Sequence, residues 1–553
     1  MIIKSDEFMN TKKIFNSLKK GKSVLLLIAI LVLALFLRTY ELGFEELTYS
    51  EFVTLQIVAQ HSIKDALHSI QEELHPPIYY LLVYFQSHFF GLSGLDLRIF
   101  SVISGLLSLI LIYIFVNSLF NERIALLVTF IMAVLPFHIF SSMVADSYMF
   151  FFFTIMLHLI FFIKFIKEPD WKKGFFYAFF SLLMIYTHYF GIMLIVMENL
   201  YFFIYLKNYK KCLKEWLVSN LAICLFIIFH LKKLFYDVTQ YIIYSHNPLK
   251  IAGIYFNLIQ ILDRVKLTFL YVLKSFSGRH SFMLESPKVG VFNIFVFYEN
   301  WWWHILELIL ILFSLCVLII FLITLFHKKT LFRRFKKDLP IFVLFIILSI
   351  PPLIFCAVFP PFFRIASFIY LMLFFFIILI CCLVGLKNKL IIVLFILFIA
   401  LFGFVFGFNF SPKEYTVPFR DAVGFIKSNM EKNDLIVIPN YYDFFQFLLY
   451  YDNSINPAIF HYNLFNYSYS NVIGPPHPLF GMQGYIYNIN FDSLNNMTQN
   501  RTVWVVWNNY PKDDPWKISS FFYSKNYTYT KTIPINGFVP LKILFFSNER
   551  LLS

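Results

Sequence analysis

The sequence predicts an α-helical polytopic membrane protein of about eleven spans, with a small extracytoplasmic α/β domain at its C-terminal end. Three observations carry this. Of 553 residues, 59% are hydrophobic and only 14% are charged, against roughly a quarter charged in soluble domains. The apolar residues fall in long runs. The cations behind the formal net charge of +14 crowd into alternate connections between those runs.

A spanning helix needs about 20 mostly apolar residues. Lys12, Lys13, Lys19, Lys20 and Lys22 precede the first run, Ser23–Leu37. No small-residue cleavage site follows, so the run reads as an uncleaved first span. Further spans are expected at Leu97–Phe115, Ile124–Phe140, Tyr148–Ile163, Phe175–Phe190, Gly191–Leu206 and Trp216–Leu231. Four more follow at Trp301–Phe326, Pro340–Phe359, Ile365–Leu386 and Leu390–Phe408. The pair around His188 forms one continuous apolar stretch and is the hardest to divide. Ile78–Phe90 is apolar but only about 13 residues long, which suits a re-entrant or interfacial helix. Its Tyr79, Tyr80 and Tyr84 suit the outer interface.

With a cytoplasmic N-terminus, the inside connections include Lys164–Lys173, Lys207–Lys214 and the run His327–Lys337. These are rich in Lys and Arg. The alternate connections, around Ser141–Asp146, His188 and Pro360–Arg364, carry few cations. This is the positive-inside pattern. It accounts for much of the net charge without nucleic acid, which is not expected as a partner.

Two larger outer regions remain, Lys232–Asn300 and the tail from Asn409. In the tail, Arg420–Ser428 and Asp443–Tyr451 read as helices, and Asp434–Pro439 and Thr502–Trp507 as strands. Glycosylation sequons at Asn409, Asn466, Asn496, Asn500 and Asn526 all fall there, in keeping with an outer location. The domain division is therefore 1–408 for the membrane part, with a first outer loop at 39–96, and 409–553 for the tail. The six cysteines lie in or beside apolar runs without metal-ligand spacing, as small buried hydrophobes do.

This topology sends Glu51, His75, Asp146, His188 and Arg364 to outer span ends or outer loops. Ionisable groups near a membrane are functional candidates. Each also has a plainer reading. Glu51 reads equally as a solvated loop residue, His75 as a cap ahead of Pro76 and Pro77, and Asp146 as a helix N-cap. His188 reads as a satisfied buried histidine, and Arg364 as an interfacial anchor.

An acidic motif after the first span, then His75-Pro76-Pro77-Ile78-Tyr79-Tyr80, then Gly91 through Asp96 and Arg98, resembles the GT-C-type glycosyltransferases. Within them the chain is similar to the group of the protein O-mannosyltransferases and the lipid A aminoarabinose transferase. Leu135-Pro136-Phe137-His138 with Ala145-Asp146-Ser147-Tyr148 resembles that group's second outer loop, and Tyr186-Thr187-His188-Tyr189 its Tyr-Thr-His-Tyr motif. Pro360-Pro361-Phe362-Phe363-Arg364 resembles a later Arg-Tyr motif. Two departures stand out. Ser50 occupies the position of the family's usual catalytic Asp, leaving Glu51. Val144, Ala145 and Asp146 stand where an acidic residue, Ala and Arg are common.

The resemblance implies a GT-C-like fold and transfer of a sugar from a polyprenyl-phosphate carrier to an acceptor hydroxyl on the outer face, with the inversion that a single carboxylate base favours. The hydroxyl must lose a proton, which calls for a carboxylate; Glu51 is the first candidate and Asp146 the second. The leaving phosphate calls for cations, with Arg364 first and Lys232, Lys233, Arg264 and Arg279 behind it. His75, His188, Tyr79 and Arg98 complete the expected substrate-binding set. A divalent metal on Glu51, Asp146 and a histidine is compatible but not required, and no metal ligand is assigned. The acceptor stays open among protein, glycan and lipid. A transporter or flippase of a lipid-linked substrate, and a catalytically lapsed scaffold, are the alternatives.

Overall fold

The computed structural model describes nearly all of residues 21–244, then 329–358, 369–386, 389–409 and 419–431. Beyond these it describes chiefly six strands between 435 and 548. The Pro360–Arg364 motif, residues 245–300, most of the expected span Trp301–Phe326 and four of the five sequons lie outside the described residues.

The described part is mostly helical. Helix α1 (Gly21–Thr39) is the first apolar run. Three short helices follow: α2 (Tyr49–Val58), α3 (Ile63–Glu72) and α4 (Ile78–Phe90). The long helices α5 (Gly94–Leu119) and α8 (Ser147–Lys167) flank α6 (Glu122–Val134) and α7 (Pro136–Met143). Then come α9 (Trp171–Ile185), α10 (Phe190–Ile204) and α11 (Leu213–Tyr244). The later helices are α12 (Lys329–Val358), α13 (Ile369–Leu386) and α14 (Lys389–Asn409).

Among the described residues three helices are long and apolar enough to cross a membrane, or five if each of two bent pairs is one span. With a main core of buried Leu, Ile, Val and Phe running through α1 and α5–α14, the protein is an integral membrane protein.

Two local details differ from the sequence expectation. The run Ile124–Phe140 is not one helix: α6 and α7 meet at a 59° bend. Pro136 is the cause. The residue before a proline is pushed out of the helical region, and Leu135 is extended at φ −67°, ψ 120°. Pro136 then opens α7, a position that needs no N–H donor. Around His188 the apolar stretch breaks at Tyr186–Tyr189, between α9 and α10.

Helices α2–α4 fall within the stretch 39–96, and α4 coincides with the short helix expected at Ile78–Phe90. They bury Leu55, Val58, Ala66, Ile70, Tyr80 and Val83 in a second apolar cluster, with Leu97 of α5 and Phe150 of α8. Helix α2 starts at a reciprocal capping box: Thr48 Oγ1 accepts from the Glu51 amide, and Glu51 accepts from the Thr48 amide. Helix α5 starts the same way, with Ser93 and Asp96. Just before it Gly91 sits at φ +108°, where a Cβ would also meet the Asp96 carboxylate at 2.8 Å. The opposite side of α4 leaves Leu82, Phe85 and Phe89 exposed, Phe89 at 84%, an apolar face of the kind that lipid covers.

After α14, helix α15 (Phe419–Asn429) precedes strands β1 (Leu435–Val437), β2 (Ser468–Tyr469), β3 (Val472–Ile473), β4 (Val503–Asn508), β5 (Tyr527–Ile535) and β6 (Leu541–Asn548). They form one sheet in the order β2-β3-β1-β4-β6-β5. Strand β1 runs parallel to β3 and β4, while β6 pairs antiparallel with both β4 and β5.

Candidate active site

Three sequence motifs meet at the start of α8. Asp146 is the N-cap of α8; its Oδ1 accepts from the Ser147 amide and from the Ser147 hydroxyl at 3.2 Å. The aspartate at the N-cap thereby satisfies a helix-end amide that would otherwise be orphaned. Two residues past the cap stands Tyr148. Its ring lies 5.5 Å from the His188 ring and 6.2 Å from the His75 ring. The two histidines are themselves 5.4 Å apart. Asp146, His75 and His188 are all half-buried.

The backbone makes this meeting. Ile78 N–H, at the start of α4, donates to the Tyr186 carbonyl at 3.2 Å. That bond ties the His-Pro-Pro segment to the Tyr-Thr-His-Tyr segment. Prolines 76 and 77 stiffen the entry to α4, and His75 itself makes no cap there, since Pro77 takes the cap position. His188 Nδ1 accepts from the Phe190 amide at 3.1 Å. In the neutral ring this puts the proton on Nε2. Phe151 stacks on the same ring at 4.9 Å. Tyr79 is fully buried. Its hydroxyl sits beside those of Ser101 and Thr54 without a hydrogen bond of good geometry among the described residues.

Glu51 and Arg98 occupy a different setting. Both side chains are buried, at 0% and 2% exposure. Arg98 Nε donates to Glu51 Oε1 at 2.7 Å and Nη2 to Oε2 at 2.9 Å. Thr48 N–H reaches Oε2 at 2.8 Å, and Ala145 N–H reaches Oε1 at 2.9 Å. Arg98 Nη1 donates to the Leu42 carbonyl at 2.7 Å. Burial pushes the Glu51 carboxyl up, but the Arg98 charge and these donors outweigh it and hold the group below its ordinary value. As found, neither side chain reaches solvent, and the carboxylate is engaged by four donors. The Thr48-Tyr-Ser-Glu51 spacing is a capping-box signature, the sequence signal for this ordered setting.

Two more buried polar groups were not singled out from the sequence. Arg38, at the end of α1, donates to Ser142 Oγ at 3.2 Å, to the Ala34 and Ala133 carbonyls at 2.9 and 3.0 Å, and bonds His138 Nδ1 at 2.8 Å. His158 of α8 bonds both Glu198 oxygens of α10 at 2.8 Å. An arginine in the last turn of an apolar helix is the only pointer the sequence offers to the first.

Arg364 lies outside the described residues, as do Arg264 and Arg279, and the side chains of Lys232 and Lys233 are likewise not described. Among the described residues no group of three His, Cys, Asp or Glu side chains is placed to hold a metal ion.

Comparison with known proteins falls on this same segment. Residues 74–231 match the family model described as dolichyl-phosphate-mannose-protein mannosyltransferase. The matched stretch holds His75, Tyr79, Arg98, Asp146 and His188, and the resemblance to GT-C-type membrane glycosyltransferases of the protein O-mannosyltransferase kind holds there. No curated protein matches the chain. Among solved structures, the chain is similar to ArnT from Cupriavidus metallidurans in the apo state, at 12% identity over 94% of this chain and 97% of that one, TM-score 0.40. The same enzyme bound to undecaprenyl phosphate matches at 12% identity over 95% and 98%, TM-score 0.39. The apo oligosaccharyltransferase of Archaeoglobus fulgidus matches at 14% identity over 89% of this chain and 70% of that one, TM-score 0.49.

Proposed function

We propose that the protein transfers a sugar from a polyprenyl-phosphate-linked donor to an acceptor hydroxyl at the extracytoplasmic face, with Asp146 as the base. The observation that carries this reading is the group of half-buried Asp146, His75 and His188 around buried Tyr148, gathered from separate motifs inside the family-matched segment. Glu51, the first candidate from sequence, is assigned a supporting role instead. A carboxylate engaged by four donors and paired to a buried guanidinium has no room to accept a further proton donor.

In the proposed step the acceptor oxygen attacks the anomeric carbon and its proton passes to the Asp146 carboxylate. The bond from that carbon to the phosphate oxygen breaks, and the polyprenyl phosphate leaves with the electron pair. A single base acting on the incoming hydroxyl favours inversion. His75 and His188 are assigned to the leaving phosphate, with Arg364 as the cation that the resemblance supplies. Proton transfer by a positioned group contributes about 100- to 10,000-fold. Asp146→Asn is therefore expected to lower transfer from undecaprenyl-phosphate mannose by at least about 100-fold, with protein yield and melting unchanged. Transfer at the parent rate overturns the assignment, and no transfer by the parent itself favours a scaffold or a transporter.

The eleven-span topology and outer tail belong to the same proposal. Alternation of Lys/Arg-rich connections supports it. Single cysteines introduced at Phe335, in the basic run, and Ser411, at the start of the tail, should label from opposite sides of the membrane. Labelling from one side contradicts it.

A further inference from the structure

We propose that α2 is a clamp that fixes the placement of Asp146, with Glu51 and Thr54 as its two positioning residues. The inference rests on the reading of Asp146 as the base. Only residues 144–146 join α7 to α8. Two consecutive peptide groups of that link are gripped by α2. The Ala145 N–H donates to Glu51 Oε1 at 2.9 Å, and the Ala145 carbonyl accepts from Thr54 Oγ1 at 3.0 Å. The second of these peptides is the one that joins Ala145 to Asp146. Glu51 and Thr54 are three residues apart, so they share a face of α2. All three residues are buried, at 0%, 1% and 0% exposure.

The link is also tight in itself: the Asp146 N–H donates to the Val144 carbonyl at 2.9 Å. Upstream, Arg38 holds α7 through Ser142 and His138. Behind the clamp, Arg98 fixes both Glu51 oxygens. The side chain of Asp146 is thus anchored through its own backbone by α2. Such anchoring matters because a base must sit about 2.6–3.2 Å from the proton it takes, and a misplacement of about 1 Å costs on the order of 100-fold.

The decisive substitution is Thr54→Val, which keeps the shape and removes the hydroxyl; Thr54→Ser returns the hydroxyl. In purified full-length protein in nanodiscs, hydrogen–deuterium exchange over residues 143–148 should quicken roughly tenfold in Thr54→Val, the loss of one hydrogen bond. It should return to the parent rate in Thr54→Ser, with residues 63–72 unchanged throughout. With undecaprenyl-phosphate mannose as donor probe and host membrane extract as acceptor, Thr54→Val should lower kcat about 10- to 100-fold. The donor KM should stay within about twofold of the parent's. Parent-like exchange in Thr54→Val overturns the clamp, as does a Thr54→Ser variant as impaired as Thr54→Val. If Asp146→Asn is inactive while Thr54→Val keeps the parent kcat, the clamp fails and the base stands. If Asp146→Asn stays active while exchange quickens in Thr54→Val, the base fails and the grip on the link stands.

Discussion

Glu51→Gln separates two roles that the sequence leaves equal. If Glu51 is the base, the amide variant folds normally and fails only in transfer. The structure predicts otherwise. Its carboxylate faces Arg98 across bonds of 2.7 and 2.9 Å with both side chains buried. Replacing it by an amide removes the carboxylate charge that pairs with that buried guanidinium. It also turns an NH2 toward donors that now meet an oxygen. Breaking a buried pair by removing one partner costs about 3–5 kcal/mol. Glutamine keeps one acceptor oxygen, so the lower figure applies, about 3 kcal/mol, or roughly a hundredfold shift in the folded-to-unfolded ratio. The assay is thermal unfolding of purified protein in detergent, followed by tryptophan fluorescence, with Arg98→Gln and the double variant measured beside it. The midpoint should fall in both single variants, and the double variant should be less damaged than their sum. A Glu51→Gln midpoint within about 1 °C of the parent, with no coupling to Arg98→Gln, refutes the structural role and returns Glu51 to the catalytic one.

The same pair predicts a pH dependence. Glu51 is held below its ordinary value of 4.5, so its stabilisation is present above that value and is lost as pH falls through the lower folded-state value. The melting difference between parent and Glu51→Gln should therefore shrink below about pH 4.5; a constant difference down to acid unfolding contradicts it. In Gly105→Ala the new Cβ would meet Ser142 Cβ at 2.9 Å and its hydroxyl more closely. The packing of α5 on α7 should lose about 1–3 kcal/mol, read as a lower melting midpoint. His75→Ala and His188→Ala should each weaken the response to donor concentration while leaving melting near the parent value. A raised KM for undecaprenyl-phosphate mannose checks this, and an unchanged one argues against phosphate contact.

The helices were largely legible because apolar runs of membrane length leave few alternatives. What failed was punctuation. Ile124–Phe140 reads as one span by hydropathy, although Pro136 carries the signal of the break. Likewise, Thr48 and Glu51 display the spacing of a capping box, yet topology alone casts Glu51 as a reactive loop residue. The meeting of His75 with His188 could be anticipated only by resemblance, since 113 positions separate them and periodicity says nothing across such a gap. The Glu51–Arg98 and Arg38–His138 partnerships were illegible for the same reason. Partner choice between distant helices depends on which faces turn toward each other, and a mostly apolar helix such as α5 marks its faces weakly.

The amide of Leu47 donates to the Tyr450 hydroxyl at 3.0 Å, across 403 positions of chain. That stitch lies one residue ahead of the Thr48 cap of α2, so the doorway to the clamp is closed by a side chain made late in synthesis. A ribosome must travel most of the message before the early helix receives its last fastening. Cutting the tail away, or pulling it aside, would loosen the hinge post on which Asp146 ultimately hangs.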